Sequence, residues 1–220
     1  MQISKSAKLT LVLLVILLSG CYTPFPVMKD PLLGLPATRG SADQNLSEIR
    51  GKQLALILSD NTKNIIAWQK EARQQQSESI MAAIAVTAEN RKAADANLDA
   101  GNIVVRVSGI LKSKFPNIVV SSDIATAEKN PGAAVIFDLQ IKNEFESGFM
   151  QHKITETWTA ALYFLRTDGS RVMIKEVVAR KTGSVTGGGN ELVRLIHALE
   201  AQLRNEVFDD LDAQLTAALR

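Results

Sequence analysis

Two stretches of alternating side chains in the second half of the chain constrain its fold most strongly. Apolar residues occupy every second position over residues 135–141, and a second alternating stretch covers residues 154–164. Successive side chains of a strand point to opposite faces, so this period of two is typical of a sheet with one buried face. Asp168-Gly169 then forms a common hairpin signal before a returning strand over residues 172–185. These residues predict an antiparallel meander of three strands.

The region before this meander predicts shorter strands and helices. Residues 54–58 are all apolar, which is typical of a short buried strand. Residues 62–98 are rich in alanine, glutamine, glutamate and lysine and contain no proline, so they form either a helix or a mobile insertion. Apolar residues over 103–111 recur at helical spacing and stop before Pro116, which predicts an amphipathic helix. Residues 117–121 predict a further strand.

The C-terminal residues predict one long helix. Apolar residues recur at helical spacing from Leu192 to Leu219 and mark a single stripe. Asn190 is a candidate N-cap, and Glu191 suits the positive end of the helix dipole. Such a stripe lies along the sheet of its own domain or, in its last turns, along a partner. The predicted fold class is therefore α+β, with a small, mostly antiparallel sheet of about four to five strands packed by an amphipathic helix and the long C-terminal helix.

The N-terminal segment has the features of an export signal. Two lysines precede an unbroken apolar run over residues 11–18. This run is too short for a transmembrane helix, which needs about twenty residues, so it is typical of a cleaved signal over residues 1–20. The segment closes on Leu18-Ser19-Gly20-Cys21, which resembles the lipobox of bacterial lipoproteins. That resemblance implies cleavage before Cys21 and attachment of acyl chains to its sulfur and its freed amine.

Cys21 is the only cysteine of the 220 residues. An odd cysteine in an exported protein indicates intermolecular pairing or a modified thiol, and acylation accounts for it. Residues 21–47 contain four of the six prolines, which favour an extended backbone and predict a tether between the lipid and the domain. Alternatively, apolar residues of this segment pack on the domain or on a partner: Tyr22, Phe25, Val27 and Leu32.

Removal of the signal changes the charge balance. Residues 1–20 carry two lysines and no acidic residue, so the 25 basic residues fall to 23 and equal the 23 acidic ones. A neutral mature chain has no basic excess of the kind that binds nucleic acid, and we expect no nucleic-acid partner. The remaining length suits one domain over residues 48–220 behind a tether.

We expect no catalytic residue, metal or cofactor, because no set of residues after the cysteine has the spacing of such a site. His152 and His197 lack a second histidine or a cysteine at ligand spacing. No serine lies in a Gly-x-Ser-x-Gly motif, and the glycines at 187–189 lack the Gly-Lys-Ser/Thr ending of a phosphate-binding loop. Four acidic residues are candidates for a carboxylate pair, although such residues more often form the polar face of a sheet: Asp138, Glu144, Glu146 and Glu156.

The order of these segments is similar to that of small lipoproteins that face the periplasm. A lipobox and a proline-containing tether precede a strand, a helix, three alternating strands and a long final helix. Two sequences accompany this order, Asp60-Asn61-Thr62 after the first strand and Phe115-Pro116-Asn117-Ile118-Val119-Val120 after the amphipathic helix. In this layout the chain resembles the YajG-like lipoproteins and the auxiliary lipoproteins of ABC-type transport systems. The resemblance implies an adaptor or envelope-assembly component rather than an enzyme, and it assigns a role to Cys21 alone.

Two functions follow as predictions. The first is a non-enzymatic binding or adaptor module that is anchored to the outer membrane, faces the periplasm and contacts an envelope protein. Tyr22 favours the outer membrane, because in enterobacterial lipoproteins an aspartate after the cysteine retains the protein in the inner membrane. The alternative is a lipid-handling auxiliary of a transport system, with an acyl chain in an apolar groove near Trp158, Phe164 and Leu203.

Overall fold

The computed structural model describes residues 26–29, 46–49, 51–78, 100–129, 132–148, 151–167 and 173–220. Within them, a 3-10 helix at Leu46–Ile49 precedes the strands and α-helices of one α+β fold. In chain order these are β1 (Leu54–Leu58), α1 (Asp60–Glu78), α2 (Ala100–Lys112), β2 (Ile118–Ser121), α3 (Ile124–Ala127), β3 (Ala133–Ser147), β4 (His152–Arg166), β5 (Met173–Gly187) and α4 (Gly189–Ala218). The predicted α+β class is confirmed.

Several predicted segments lie outside the described residues. They are the export signal, the lipobox with Cys21, the Asp168-Gly169 turn and the part of segment 62–98 that follows residue 78. The first part of that segment is helical, as α1. None of the helices in the described part of the chain is long and apolar enough to cross a membrane.

The strands form one mixed sheet in the order β2-β1-β3-β4-β5. β3, β4 and β5 make the predicted antiparallel meander. β1, however, runs parallel to both neighbours, with Leu54 opposite Ile118 on β2 and Ala133 on β3. The prediction of a mostly antiparallel sheet is therefore wrong. A strand between parallel neighbours is covered on both faces, which explains the unbroken apolar run of β1, and the helices between β1 and β2 provide the crossover that parallel pairing requires.

The two faces of the sheet bury separate clusters. α1, α2 and α4 cover the face that carries Phe137 and Leu162, called the helix-covered face below, and enclose the main core. The opposite face carries a smaller cluster with Ile136 and Tyr163, to which α3 adds Ala127. Beyond this cluster β3 becomes exposed, from residue 142 to its end. The second buried face is thus confined to the half of the sheet that contains β1.

The 3-10 helix belongs to the domain. Leu46 and Ile49 are 0% and 3% exposed, and both lie in the main core. Leu46, near the end of the predicted tether at 21–47, therefore already contributes to packing.

α4 lies along β4 and β5 and buries the predicted apolar stripe except for Ile196, which is half-buried: Leu192, Leu199, Leu203, Val207, Leu211, Leu215 and Leu219. Its N-cap is Gly188, whose backbone is extended and which has no side chain to cap the helix. The prediction of Asn190 as the cap is therefore wrong, because the helix already begins at Gly189, directly after β5. Glu191 lies in the first turn, as expected from the helix dipole.

Gly183 on β5 allows α4 to approach the sheet closely. A Cβ atom at this position would lie 2.5 Å from Leu199 Cδ1 and 3.3 Å from Leu203 Cδ2, and both leucines are buried. We therefore expect Gly183→Val to lower the free energy of unfolding by about 1–3 kcal/mol in urea titrations, the usual cost of overpacking. Gly109→Ala on α2 is the matched control. No atom lies within 4 Å of its added Cβ, so it should be neutral or stabilise by up to about 1 kcal/mol.

Candidate functional site

The residues of the predicted acyl-chain groove lie together in the main core. Trp158, Phe164 and Leu203 are 3%, 0% and 2% exposed. The rings of Phe164 and Phe115 are in contact, with 5.8 Å between their centroids. All of these residues belong to one buried cluster between the sheet and the helices, so they form part of a closed core in this conformation. The groove stays a prediction.

The structure separates the four candidate carboxylates Asp138, Glu144, Glu146 and Glu156. Asp138 and Glu156 are both buried but lie on opposite faces of the sheet. Glu144 and Glu146 are exposed, and each carboxylate lies beside a lysine, with Lys142 Nζ 2.7 Å from Glu144 Oε1 and Lys153 Nζ 3.3 Å from Glu146 Oε1. The Lys142 ammonium holds the pKa of Glu144 below its usual range. The four residues therefore do not form the carboxylate pair that acid–base cleavage of a glycosidic bond requires.

Glu156 is covered by α4. Its side chain is 2% exposed, and Gly183 lies opposite it on β5. Trp158 Nε1 donates a hydrogen bond to Glu156 Oε2 at 3.2 Å. Burial, together with the negative charge of Glu200 on α4, raises the pKa of Glu156 to about 7, against the opposing effects of the Trp158 hydrogen bond and of His197. This carboxyl group therefore changes charge near neutral pH while it is enclosed by protein.

The two histidines have different surroundings. His197 Nδ1 is 3.2 Å from Glu200 Oε2 on the same helix. His152 stacks on the exposed Phe145 near the β3–β4 turn, with 5.3 Å between ring centroids. Among the residues that the structure describes, no group of three or more His, Cys, Asp or Glu side chains is placed to hold a metal ion.

A buried network of polar side chains lies directly after β1 in the chain and connects α1 to β3. Thr62 Oγ1 donates to the Phe137 carbonyl at 3.1 Å and accepts from Leu139 N at 2.8 Å. β1 pairs with β3 only as far as Leu58. The Thr62 hydroxyl continues the hydrogen bonding of β3 beyond that point, where a buried main-chain group without a partner would cost stability.

Asp138 lies at the centre of this network and is 1% exposed. Its carboxylate accepts hydrogen bonds from Ser59 Oγ, from Asn61 Nδ2 at 3.0 Å and from Gln140 Nε2 at 2.7 Å. All three donors are neutral. An acceptor-only carboxylate satisfied by several fixed donors holds each of those side chains in one orientation.

Asn61 connects the network to the N-terminal segment. Lys29 N donates to Asn61 Oδ1 at 2.8 Å, and Asn61 Nδ2 donates to the Lys29 carbonyl at 2.7 Å. Nδ2 uses its other hydrogen for Asp138, so only one orientation of the amide satisfies all three bonds. Asn61 thus binds the main chain of Lys29 much as a neighbouring strand would. We call Lys29, Asn61 and Asp138 the tether clamp.

Residues 26–29 of the tether contact the domain on one side only. Val27 is 80% exposed, whereas the Met28 side chain is partly buried against the main core. Of the apolar residues in the alternative interpretation, Val27 does not pack on the domain, and Tyr22, Phe25 and Leu32 lie outside the described residues. Packing of these residues on a partner stays a prediction. The contact is made by the Met28 side chain and the Lys29 main chain.

Sequence reasoning does not find the tether clamp. Lys29 and Asn61 are 32 residues apart and share no motif. Asp138 occupies a polar position of an alternating strand, where it is indistinguishable from a surface residue. The available signal was the polar run Ser59-Asp60-Asn61-Thr62 directly after a buried strand, since polar residues next to a core often satisfy main-chain groups.

No protein-family model matches the chain, and no curated protein has a similar sequence. A homolog of the neuraminyllactose-binding hemagglutinin from Helicobacter pylori matches with 8% identity and a TM-score of 0.38, over 90% of this chain and 94% of that one. A minor lipoprotein from Acinetobacter baumannii matches with 13% identity and a TM-score of 0.30, over 76% and 90%. A DUF330 protein from Xanthomonas campestris matches with 13% identity and a TM-score of 0.29, over 82% and 91%. Similarities this low assign neither a family nor a function.

Proposed function

We propose that the protein is a lipid-anchored bacterial lipoprotein that works as a non-enzymatic binding or adaptor module in the cell envelope. The observation that carries this proposal is the position of Cys21. It is the only cysteine of the chain, it closes an export signal, and it is followed within eight residues by main chain that the domain binds at Lys29. Two or three acyl chains on one cysteine hold a protein stably on a membrane.

The placement of the acidic residues supports a binding role rather than catalysis. Glu156 is enclosed beneath α4, and Asp138 is enclosed by its three donors. A general acid or base must come within hydrogen-bond distance of its substrate, which neither buried carboxyl group can do in this conformation. The exposed Glu144 and Glu146 each lie beside a lysine.

One edge of the sheet offers a contact surface. Within the described residues β2 is an outer strand, and Val119 and Val120 on it are 44% and 58% exposed. An outer strand presents unpaired main-chain groups, and exposed apolar side chains beside them favour contact with another protein. We place the partner in the envelope, with the anchor in the outer membrane and the domain facing the periplasm, because tyrosine rather than aspartate follows Cys21.

Site-specific photo-crosslinking in living cells tests the adaptor role. A photoreactive residue at Val120 should yield a discrete adduct with one envelope protein, identified by mass spectrometry. The same residue at Lys112, exposed at the end of α2, is the matched control and should yield none. If photoreactive residues at Val119 and Val120 recover no specific partner from either membrane, the adaptor role is wrong.

A further inference from the structure

We propose that the tether clamp holds the domain close to the membrane, with the end of the sheet where β1 stops and α1 begins facing the bilayer. This inference rests on the proposed lipid anchor at Cys21. Beyond the anchor, it specifies how far the domain lies from the membrane and which end of the domain faces the bilayer.

The clamp is a prepared binding site for main chain. Asp138 accepts a hydrogen bond from Asn61 Nδ2 and so orients the amide independently of the tether, which leaves little further ordering on the domain side when the tether binds. Both polar main-chain groups of Lys29 are engaged, and the Lys29 side chain is exposed. The site therefore selects the path of the tether rather than a particular side chain at position 29.

The clamp shortens the reach of the anchor. Lys29 lies eight positions after Cys21, whereas Leu46, where the 3-10 helix begins, lies twenty-five positions after it. Fully extended, these lengths span at most roughly 28 Å and 85 Å. Closing the clamp therefore shortens the maximum separation between lipid and domain about threefold.

The position of Asn61 also sets which surface is nearest the anchor. Asn61 lies in the first turn of α1, directly after the carboxyl end of β1. The side chains of Asp60 and Lys63 at this end are 83% and 48% exposed and form an ion pair. This polar end faces the bilayer, and the outer strand β2 lies at the side of the sheet, where it is open to a partner.

The clamp can be opened from the tether without changing any side chain of the domain. Lys29→Pro removes the main-chain N–H that donates to Asn61 Oδ1, which is one of the two bonds between Asn61 and the Lys29 main chain. Lys29→Ala removes the same lysine side chain but keeps that N–H, so it is the matched control and should behave as the wild type. Asn61→Ala opens the clamp from the domain side, although it also removes a donor to Asp138. Asn64→Ala, an exposed position of the same helix, is its control.

Hydrogen exchange on the purified mature protein tests the clamp, and the result is the same whether or not Cys21 carries lipid. The amide of residue 29 should exchange at least about tenfold more slowly in the wild type, Lys29→Ala and Asn64→Ala than in Asn61→Ala. Equal exchange in the wild type and Asn61→Ala would overturn the clamp.

Energy transfer in vesicles tests its consequence for the membrane. A donor dye is attached to the cysteine that Asn64→Cys introduces. The labelled lipoprotein is reconstituted into phosphatidylcholine vesicles that carry an acceptor dye on their headgroups. Lys29→Ala should transfer as efficiently as the protein with lysine at position 29, and Lys29→Pro should transfer less, because opening the clamp lengthens the maximum reach of the tether about threefold. Equal transfer in these two variants overturns the proximity of the domain to the membrane. If no variant attaches to vesicles, the lipid anchor itself is wrong, while the exchange rates still decide the clamp.

Discussion

Glu156→Gln is expected to raise the free energy of unfolding by about 3 kcal/mol at pH 8.5 and by about 1 kcal/mol or less at pH 5. The ordinary pKa of this side chain is 4.5, and burial beneath α4 raises the pKa of Glu156 in the folded protein to about 7. The folded protein therefore holds the proton more tightly than the unfolded chain does. The resulting stabilisation is complete below pH 4.5 and is lost as the pH rises through 7.

Urea titrations of both proteins at the two pH values measure this effect. Glutamine keeps an acceptor for Trp158 Nε1 but carries no charge, so the variant escapes the alkaline loss of stability. Glu144→Gln is the control, because Lys142 lowers the pKa of this exposed carboxyl group and its replacement should bring no gain at pH 8.5. If Glu156→Gln and the wild type lose stability in parallel as the pH rises, α4 does not enclose Glu156 as described.

Cys21→Ser, exported with a signal that is cleaved without lipidation, is expected to leave the membrane almost completely. Serine lacks the sulfur that carries the diacylglycerol, and each buried methylene group of an acyl chain contributes about 0.8 kcal/mol to membrane binding. Fractionation of cells should therefore find the variant in the soluble periplasmic fraction and the wild type in membranes. Tyr22→Ser, which keeps the thiol, is the matched control and should remain membrane-bound. A Cys21→Ser protein that stays firmly bound would contradict the lipid anchor.

The strands and helices that bury one face could be predicted because burial leaves a period in the sequence. Alternation predicts β3 and β4, and the spaced apolar residues from Leu192 to Leu219 predict α4. The direction of pairing leaves no such period. Leu54–Leu58 is apolar at every position whichever way its neighbours run, and only the crossover through the helices makes them parallel.

The candidate sites were harder to predict, for different physical reasons. The groove near Trp158, Phe164 and Leu203 stays a prediction, because an apolar pattern does not distinguish a filled core from a cavity, and the three residues are buried together in this conformation. The tether clamp depends on a contact between residues 32 positions apart, and no local pattern encodes it.

The intact mass of the mature protein, purified from membranes, tests the central claim most directly. The lipid anchor predicts a chain that begins at Cys21 and carries the added mass of two or three acyl chains, with no free thiol. A chain that retains residues 1–20, or one that carries Cys21 as a free thiol without added mass, would contradict the lipid anchor and the function built on it.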